Sequence, residues 1–133
     1  MRSNTQITVS IYLDENYCIP ATVMIRSLME NLGSSSEVRL FVLGLELSPA
    51  TKQTMQDSWP AERLRVHWVD IEMSDYPKGF SPVGYLSQAA YARILIDRYL
   101  PSDVERVLTI DCDGLVLSDI TELWNFRHRS QSV

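Results

Sequence analysis

Twice in the first sixty residues a run of apolar and β-branched side chains gives way to a stretch whose apolar positions recur at helical spacing. Residues 5–13 alternate Ile7, Val9, Ile11 and Leu13 against Thr8, Ser10 and Tyr12, the period of a strand. The polar cluster Asp14-Glu15-Asn16-Tyr17 breaks that pattern. Pro20 suits the first turn of a helix, where its missing N–H has no helical acceptor to serve. Ala21, Ile25, Leu28 and Leu32 then line one face, and Gly33 is the expected C-terminal stop. Beyond a Ser34-Ser35-Ser36 linker, 38–43 is apolar on both faces, as in a parallel sheet covered by helices. Ser48-Pro49 caps and opens a helix to about Trp59. A third strand, 64–69, is closed by Asp70. The alternation βαβαβ predicts a doubly wound, Rossmann-like α/β architecture in one domain over 1–133.

From Glu72 to Gly84 the punctuation by Pro77, Gly79, Pro82 and Gly84 predicts a loop, and a loop that long in a compact domain is more often functional than not. Ser87 is the expected cap of a helix over 88–99 that ends at Leu100-Pro101. A fourth strand, 106–110, is predicted to be buried, with Asp119 capping a last turn that carries Leu123 and Trp124.

The chemistry sits after that fourth strand, in Asp111-Cys112-Asp113-Gly114. Side chains alternate along a strand, so Asp111 and Asp113 are expected to leave the same face at its C-terminal end while Cys112 turns away. Two close carboxylates repel one another, so their pairing calls for a compensating cation, and hard oxygen donors favour Mg²⁺ or Mn²⁺. Ligands of open α/β sheets bind at the carboxyl ends of the strands, where phosphate oxygens can complete the shell of such an ion. The alternative is plain: Asp113-Gly114 is a good turn dipeptide and the acids simply line a turn. Against it stands Leu115-Val116-Leu117, an apolar run that resumes at once and makes the acids an interruption of expected core.

Composition narrows the field. The chain has 133 residues, 45% of them hydrophobic, with 12 basic and 17 acidic residues for a net charge of −5. That balance offers no basic patch for a nucleic acid. No apolar run approaches a membrane span of about 20 residues, and the polar start shows no leader, so a cytoplasmic protein is expected. Cys18 and Cys112, only two and far apart, suit reduced thiols.

Three blocks in order resemble the N-terminal part of the glycosyltransferase family 8 enzymes, a GT-A-fold group that includes lipopolysaccharide galactosyl- and glucosyltransferases and glycogenin. They are Leu13-Asp14-Glu15-Asn16-Tyr17, Tyr91-Ala92-Arg93-Ile94-Leu95, and 108–119 with Leu123-Trp124. The resemblance implies a retaining hexosyltransferase that uses a UDP-sugar donor and a glycan or lipopolysaccharide-type acceptor. It implies that Asp111 and Asp113 bind Mn²⁺ or Mg²⁺ on the diphosphate, that Asp14 and Asn16 hydrogen-bond the uracil and ribose, and that Tyr17 stacks on the base. Arg93 would reach the sugar or diphosphate, and the backbone of Cys112 the ribose. The family's later His has no counterpart here, His128 lacks its context, and no catalytic residue is identifiable, so a fragment of a longer protein is expected.

Each assignment has a structural competitor. Asp14 and Asn16 fit a helix cap, Tyr17 a hydrophobic staple, and Arg93 an i,i+4 ion pair with Asp97. Trp59, Trp68 and Trp124 fit core better than sugar platforms, and His67 and His128 fit structural or exposed positions. Two further readings stay open. One is a haloacid-dehalogenase-type phosphohydrolase, whose nucleophile motif Asp111-Cys112-Asp113-Gly114 resembles, although three strands precede it and Leu115 replaces the usual Thr. The other is a non-catalytic nucleotide-binding module, for which an uncovered sheet edge or apolar face would favour self-association.

Overall fold

The computed structural model describes residues 4–72 and 96–126. Four strands form a single parallel sheet in the order β3-β2-β1-β4, with β1 at Thr5–Leu13, β2 at Ser36–Leu45, β3 at Leu64–Ile71 and β4 at Leu108–Thr109. Helices α1 (Cys18–Glu30) and α2 (Pro49–Asp57) make the first two crossovers, and short helices α3 (Ile96–Tyr99) and α4 (Thr121–Asn125) flank β4 in sequence. The α/β architecture expected from the strand-helix alternation is the one observed.

Both faces of the sheet are covered. Ile7, Val9, Ile11 and Leu13 join Val38, Leu40 and Val42 beneath Ala21, Met24, Ile25 and Leu28 of α1. On the other face Tyr12, Phe41, Leu43, Leu45 and Ile71 pack against Ile96, Tyr99, Leu100 and Val104. The alternation in β1 is therefore not one of core against solvent: Thr8 and Ser10 are also buried, and Ser10 satisfies its hydroxyl against Thr109, Oγ to Oγ1 2.9 Å.

Several boundaries differ from the sequence expectation. Helix α1 ends at Glu30 rather than Gly33: Asn31 N–H makes the last helical bond, to Ser27 O, and Leu32 N–H already takes the tighter i−3 acceptor Met29 O. Ser36 is buried strand rather than linker, its hydroxyl 2.6 Å from that of Thr121. Helix α2 begins as expected, with Ser48 Oγ accepting from Thr51 N–H, and stops two residues before Trp59.

The fourth strand departs most. It is two residues long and half-exposed instead of buried over 106–110, because it pairs with β1 only through Val9 with Leu108 and Ser10 with Thr109. Leu115 and Leu117 are 62% and 82% exposed, so the run after the acids is not core; only Val116 packs inward. The expected loop over 72–84 from 73 onward, the Ser87 cap and the helix up to 95, with Arg93 in it, lie outside the described residues, as does His128.

The tryptophans are structural, as expected. Trp59 and Trp68 stack at 6.1 Å beside α2, with Trp59 Nε1 donating to Thr22 O and Trp68 Nε1 to Gln56 Oε1. Trp124 packs on the core under the Arg106 guanidinium, 4.1 Å from ring centroid to Cζ. His67 is exposed and stacks on Phe41 at 4.9 Å.

Candidate functional site

Strands β1 and β4 are adjacent and parallel, so the segments that leave their carboxyl ends emerge side by side. From β1 comes Asp14, half-buried, whose Oδ1 accepts the Asn16 N–H at 3.0 Å. It caps a single 3-10 turn, Glu15–Tyr17, that leads straight into α1. The capping alternative for Asp14 is thus realised, and it fixes the path on which Asn16 and Tyr17 are displayed. Asn16 is exposed and Tyr17 is 37% exposed.

The turn is anchored by the residue between them. Glu15 reaches across to the start of α2, where its carboxylate accepts the Ser48 N–H and the Thr51 hydroxyl, each at 3.0 Å. A carboxylate at a helix N-terminus satisfies amides that have no helical partner and meets the positive end of the helix dipole. Sequence reasoning gives Glu15 no role. The Ser48-Pro49 helix start signals that an acid would be welcome there, but not which distant one supplies it.

From β4 comes the acidic turn. Gly114 N–H donates to Asp111 O at 3.4 Å, so 111–114 is a turn with Asp first and Gly last, both favoured there. Asp111 and Asp113 therefore share a turn, not the face of a strand, because the ladder has already ended at Thr109. Both are exposed, while Cys112 packs inward on the core. The inward turn of Cys112 survives although its strand geometry does not.

Charge links the two segments. Burial pushes the Cys112 thiol pKa up, and Asp113, then Asp111 and Asp14, push it further, so the three carboxylates stand within electrostatic reach of one sulfur. Cys18, whose Sγ–H points at Asp14 O at 3.5 Å, is raised to about 11 by burial, with Glu15, Asp14 and Cys112 adding to it. Both thiols stay protonated at neutral pH and are poor nucleophiles.

The acidic turn is tethered on both sides. Upstream, Ile110 N–H donates to Ser10 O at 3.2 Å, beside the Ser10–Thr109 hydroxyl pair. Downstream, Asp119 Oδ1 accepts from Thr121 N–H at 2.9 Å, but the N-cap of α4 is Ile120, so Asp119 braces the helix start from one residue ahead of the cap expected of it. The hydrogen bonds from Thr121, side chain before backbone, lower its pKa, and the Gly33 amide adds to the effect. A Cβ on Gly33 would collide with that carboxylate, so the glycine serves close approach here and not the helix stop predicted for it.

Among the described residues no group of three or more His, Cys, Asp or Glu gathers where it could hold a metal ion. What the site offers is two exposed carboxylates on one short turn. That donor set suits a hard divalent ion whose remaining oxygens, about four of six, come from a ligand and water.

Comparison with known proteins agrees with this geometry. The glycosyl transferase family 8 model matches residues 8–133. The chain is 28% identical over 126 residues to general stress protein A of Bacillus subtilis, covering 94% of this chain and 44% of that one. It is 26% identical over 116 residues to a putative glycosyltransferase of Haemophilus influenzae, covering 86% and 34%. Among solved structures it superposes on the galactosyltransferase LgtC, crystallised with donor and acceptor sugar analogs, with a TM-score of 0.74 at 23% identity over 91% of this chain and 43% of that one. The bifunctional glycosyltransferase WbbM gives 0.69 at 19%, over 96% and 22%. The chain thus spans less than half the length of these relatives. The fold is GT-A, and the family match removes the phosphohydrolase alternative. With a family model that covers all but seven residues at one end, the chain belongs to glycosyltransferase family 8.

Proposed function

We propose that this chain forms the donor-binding portion of a metal-dependent hexosyltransferase that takes galactose or glucose from a UDP-sugar and passes it, with retention of configuration, to a glycan or lipopolysaccharide-type acceptor. Asp111 and Asp113 hold Mn²⁺ or Mg²⁺ against the diphosphate. Asp14 and Asn16 bind the uracil and ribose, Tyr17 stacks on the base, the Cys112 backbone approaches the ribose, and Arg93 reaches the sugar or the diphosphate. When bound, the ion supplies positive charge that offsets the charge developing on the leaving diphosphate.

The observation that carries this reading is the adjacency of β1 and β4, which sets the Asp14 segment beside the Asp111–Asp113 turn. Asp111 and Asp113 share one four-residue turn, and a bound dication would neutralise the two like charges placed there. Exposure of Asn16 and Tyr17 leaves both accessible to a nucleoside. The described part of the chain has no helix long and apolar enough to cross a membrane.

Calorimetric titration of the chain with UDP, with and without Mn²⁺, tests the reading. Binding should depend on Mn²⁺ and fall by at least about tenfold in Asp111→Asn and in Asp113→Asn. UDP binding of equal strength without metal, or unchanged in both variants, would refute the metal assignment. Binding without turnover of a UDP-sugar would favour the non-catalytic module for this chain.

A further inference from the structure

Val116 lies two residues beyond the acidic turn and outside every strand, yet both its backbone polar groups are bonded by side chains from α1 and its C-terminal cap. Its N–H donates to Ser27 Oγ at 2.9 Å, and its carbonyl accepts from Asn31 Nδ2 at 2.9 Å. Neither side chain is free to turn elsewhere. The Ser27 hydroxyl proton is committed to Met24 O at 2.6 Å, which leaves the oxygen's lone pairs to Val116. The Asn31 amide is steadied by its second donation, to Ser27 O. Residues 27 and 31 lie one helical turn apart, so the end of α1 presents an acceptor and a donor in line, as the edge of a strand would.

The acidic turn therefore hangs between two fixed points, Ile110 on β1 and Val116 on α1. Residues 111–115 span the gap, and among them are two carboxylates that repel one another. An untethered turn would relax by spreading them. A metal site whose ligands must first be gathered loses affinity by the free energy of gathering them.

We infer that Ser27 and Asn31 are positioning residues for the acidic turn: by gripping Val116 they hold Asp111 and Asp113 at the separation a shared divalent ion requires. The inference rests on the reading of those two acids as metal ligands. In this role Ser27 and Asn31 act through the backbone of Val116, the only part of the segment that their side chains are seen to bond.

The test uses Mn²⁺ as probe, titrated in the presence of UDP and followed by the electron paramagnetic resonance of the free ion. Ser27→Ala removes the acceptor for Val116 N–H, and Asn31→Asp sets a carboxylate against the Val116 carbonyl. Each should raise the Mn²⁺ dissociation constant about tenfold. Ser27→Thr keeps the hydroxyl and should restore affinity to within about threefold of the parent. Amide hydrogen exchange at Gly114 and Val116 should quicken in the first two variants and not in the third. A general loss of stability would not produce this pattern, and Thr54→Ala on α2, whose hydroxyl bonds Ala50 O within its own helix, controls for it. If Ser27→Ala and Asn31→Asp fold and bind Mn²⁺ as the parent does, the positioning role is wrong while the metal site stands. If the parent itself binds no Mn²⁺, the metal site is wrong and the positioning role falls with it.

Discussion

The two flanks of β1 are built differently. Toward β2 it is paired along its whole length, from Thr5 with Ser36 to Leu13 with Gly44, and the side chains on both strands are almost all buried. Toward β4 it is paired at Val9 and Ser10 alone, and the chain past β4 is held by side chains: Ser27 and Asn31 on Val116, Asp119 on Thr121. The first flank is held by a full ladder and fully buried strands, the second by a two-residue ladder, a few directed hydrogen bonds and the packing of Ile110, Cys112, Val116 and Ile120 on the core. The acidic turn sits on the second, where two like charges are tolerated because no core has to close over them.

The contrast is sharpest in the response to truncation. Leu40→Ala removes a fully buried side chain of β2 that packs beneath α1 and should cost about 3 kcal/mol, since such sites refill poorly. Leu117→Ala, at 82% exposure, should change stability by less than about 0.5 kcal/mol although both are leucines in apolar runs. Urea unfolding followed by circular dichroism separates the two. Equal costs would mean that the β4 flank is packed as tightly as the β2 flank, and the comparison would fail.

That pair of leucines also shows what was legible in the sequence. Strands β1 to β3 and both long helices could be read because period and punctuation are local properties, and local propensity agrees with the fold there. The acidic motif could be read because its residue types are unusual at a strand end. What could not be read was burial, which depends on partners far along the chain. The same apolar spelling that marks 38–43 as core marks 115–117 as core, and only the sheet order shows that the first lies between two strands and the second beyond an edge. Ser10 teaches the converse, a polar residue that is wholly buried because Thr109, 99 residues away, answers it. Of the candidate site, the identities of Asp14, Cys112, Asp111 and Asp113 came from sequence, whereas the supports, Glu15, Ser27 and Asn31, are ordinary polar residues whose partners are long-range.

Asp119 gives the next effect in size. Asp119→Ala leaves the Thr121 N–H, beside the N-cap of α4, without its acceptor and should cost about 1 kcal/mol, the loss of one part-buried hydrogen bond. Its pH dependence has a definite sign. Folding lowers the carboxyl pKa below the ordinary 3.8, so the folded form binds fewer protons in that window and stability rises with pH there. The contribution is complete above the unfolded value and is lost as pH falls through the folded one. Unfolding midpoints between about pH 5 and pH 2.5 should therefore drop less steeply in Asp119→Asn than in the parent. Equal slopes would show that the carboxylate is not anchoring α4 to the end of α1.

A smaller effect on stability than that of Asp119 should come from Glu15, and it is the one that most tests the division between the flanks. Its carboxylate ties the Asp14–Tyr17 segment to the start of α2 through exposed hydrogen bonds, so solvent competes for every one of them. Glu15→Ala should cost less than about 1 kcal/mol, since water replaces the lost partners at Ser48 and Thr51. The turn, though, loses this tie to α2, and Asn16 and Tyr17 are displayed on it. If they meet the nucleoside, UDP affinity should fall about three- to tenfold, about 0.7 to 1.4 kcal/mol and so at least comparable with the cost in stability. Glu15→Gln keeps an acceptor for the Ser48 amide and should retain most of that affinity. A variant that lost stability without losing UDP affinity would place the nucleotide contacts away from this turn, and the segment after β1 would then belong with the β2 flank as scaffold.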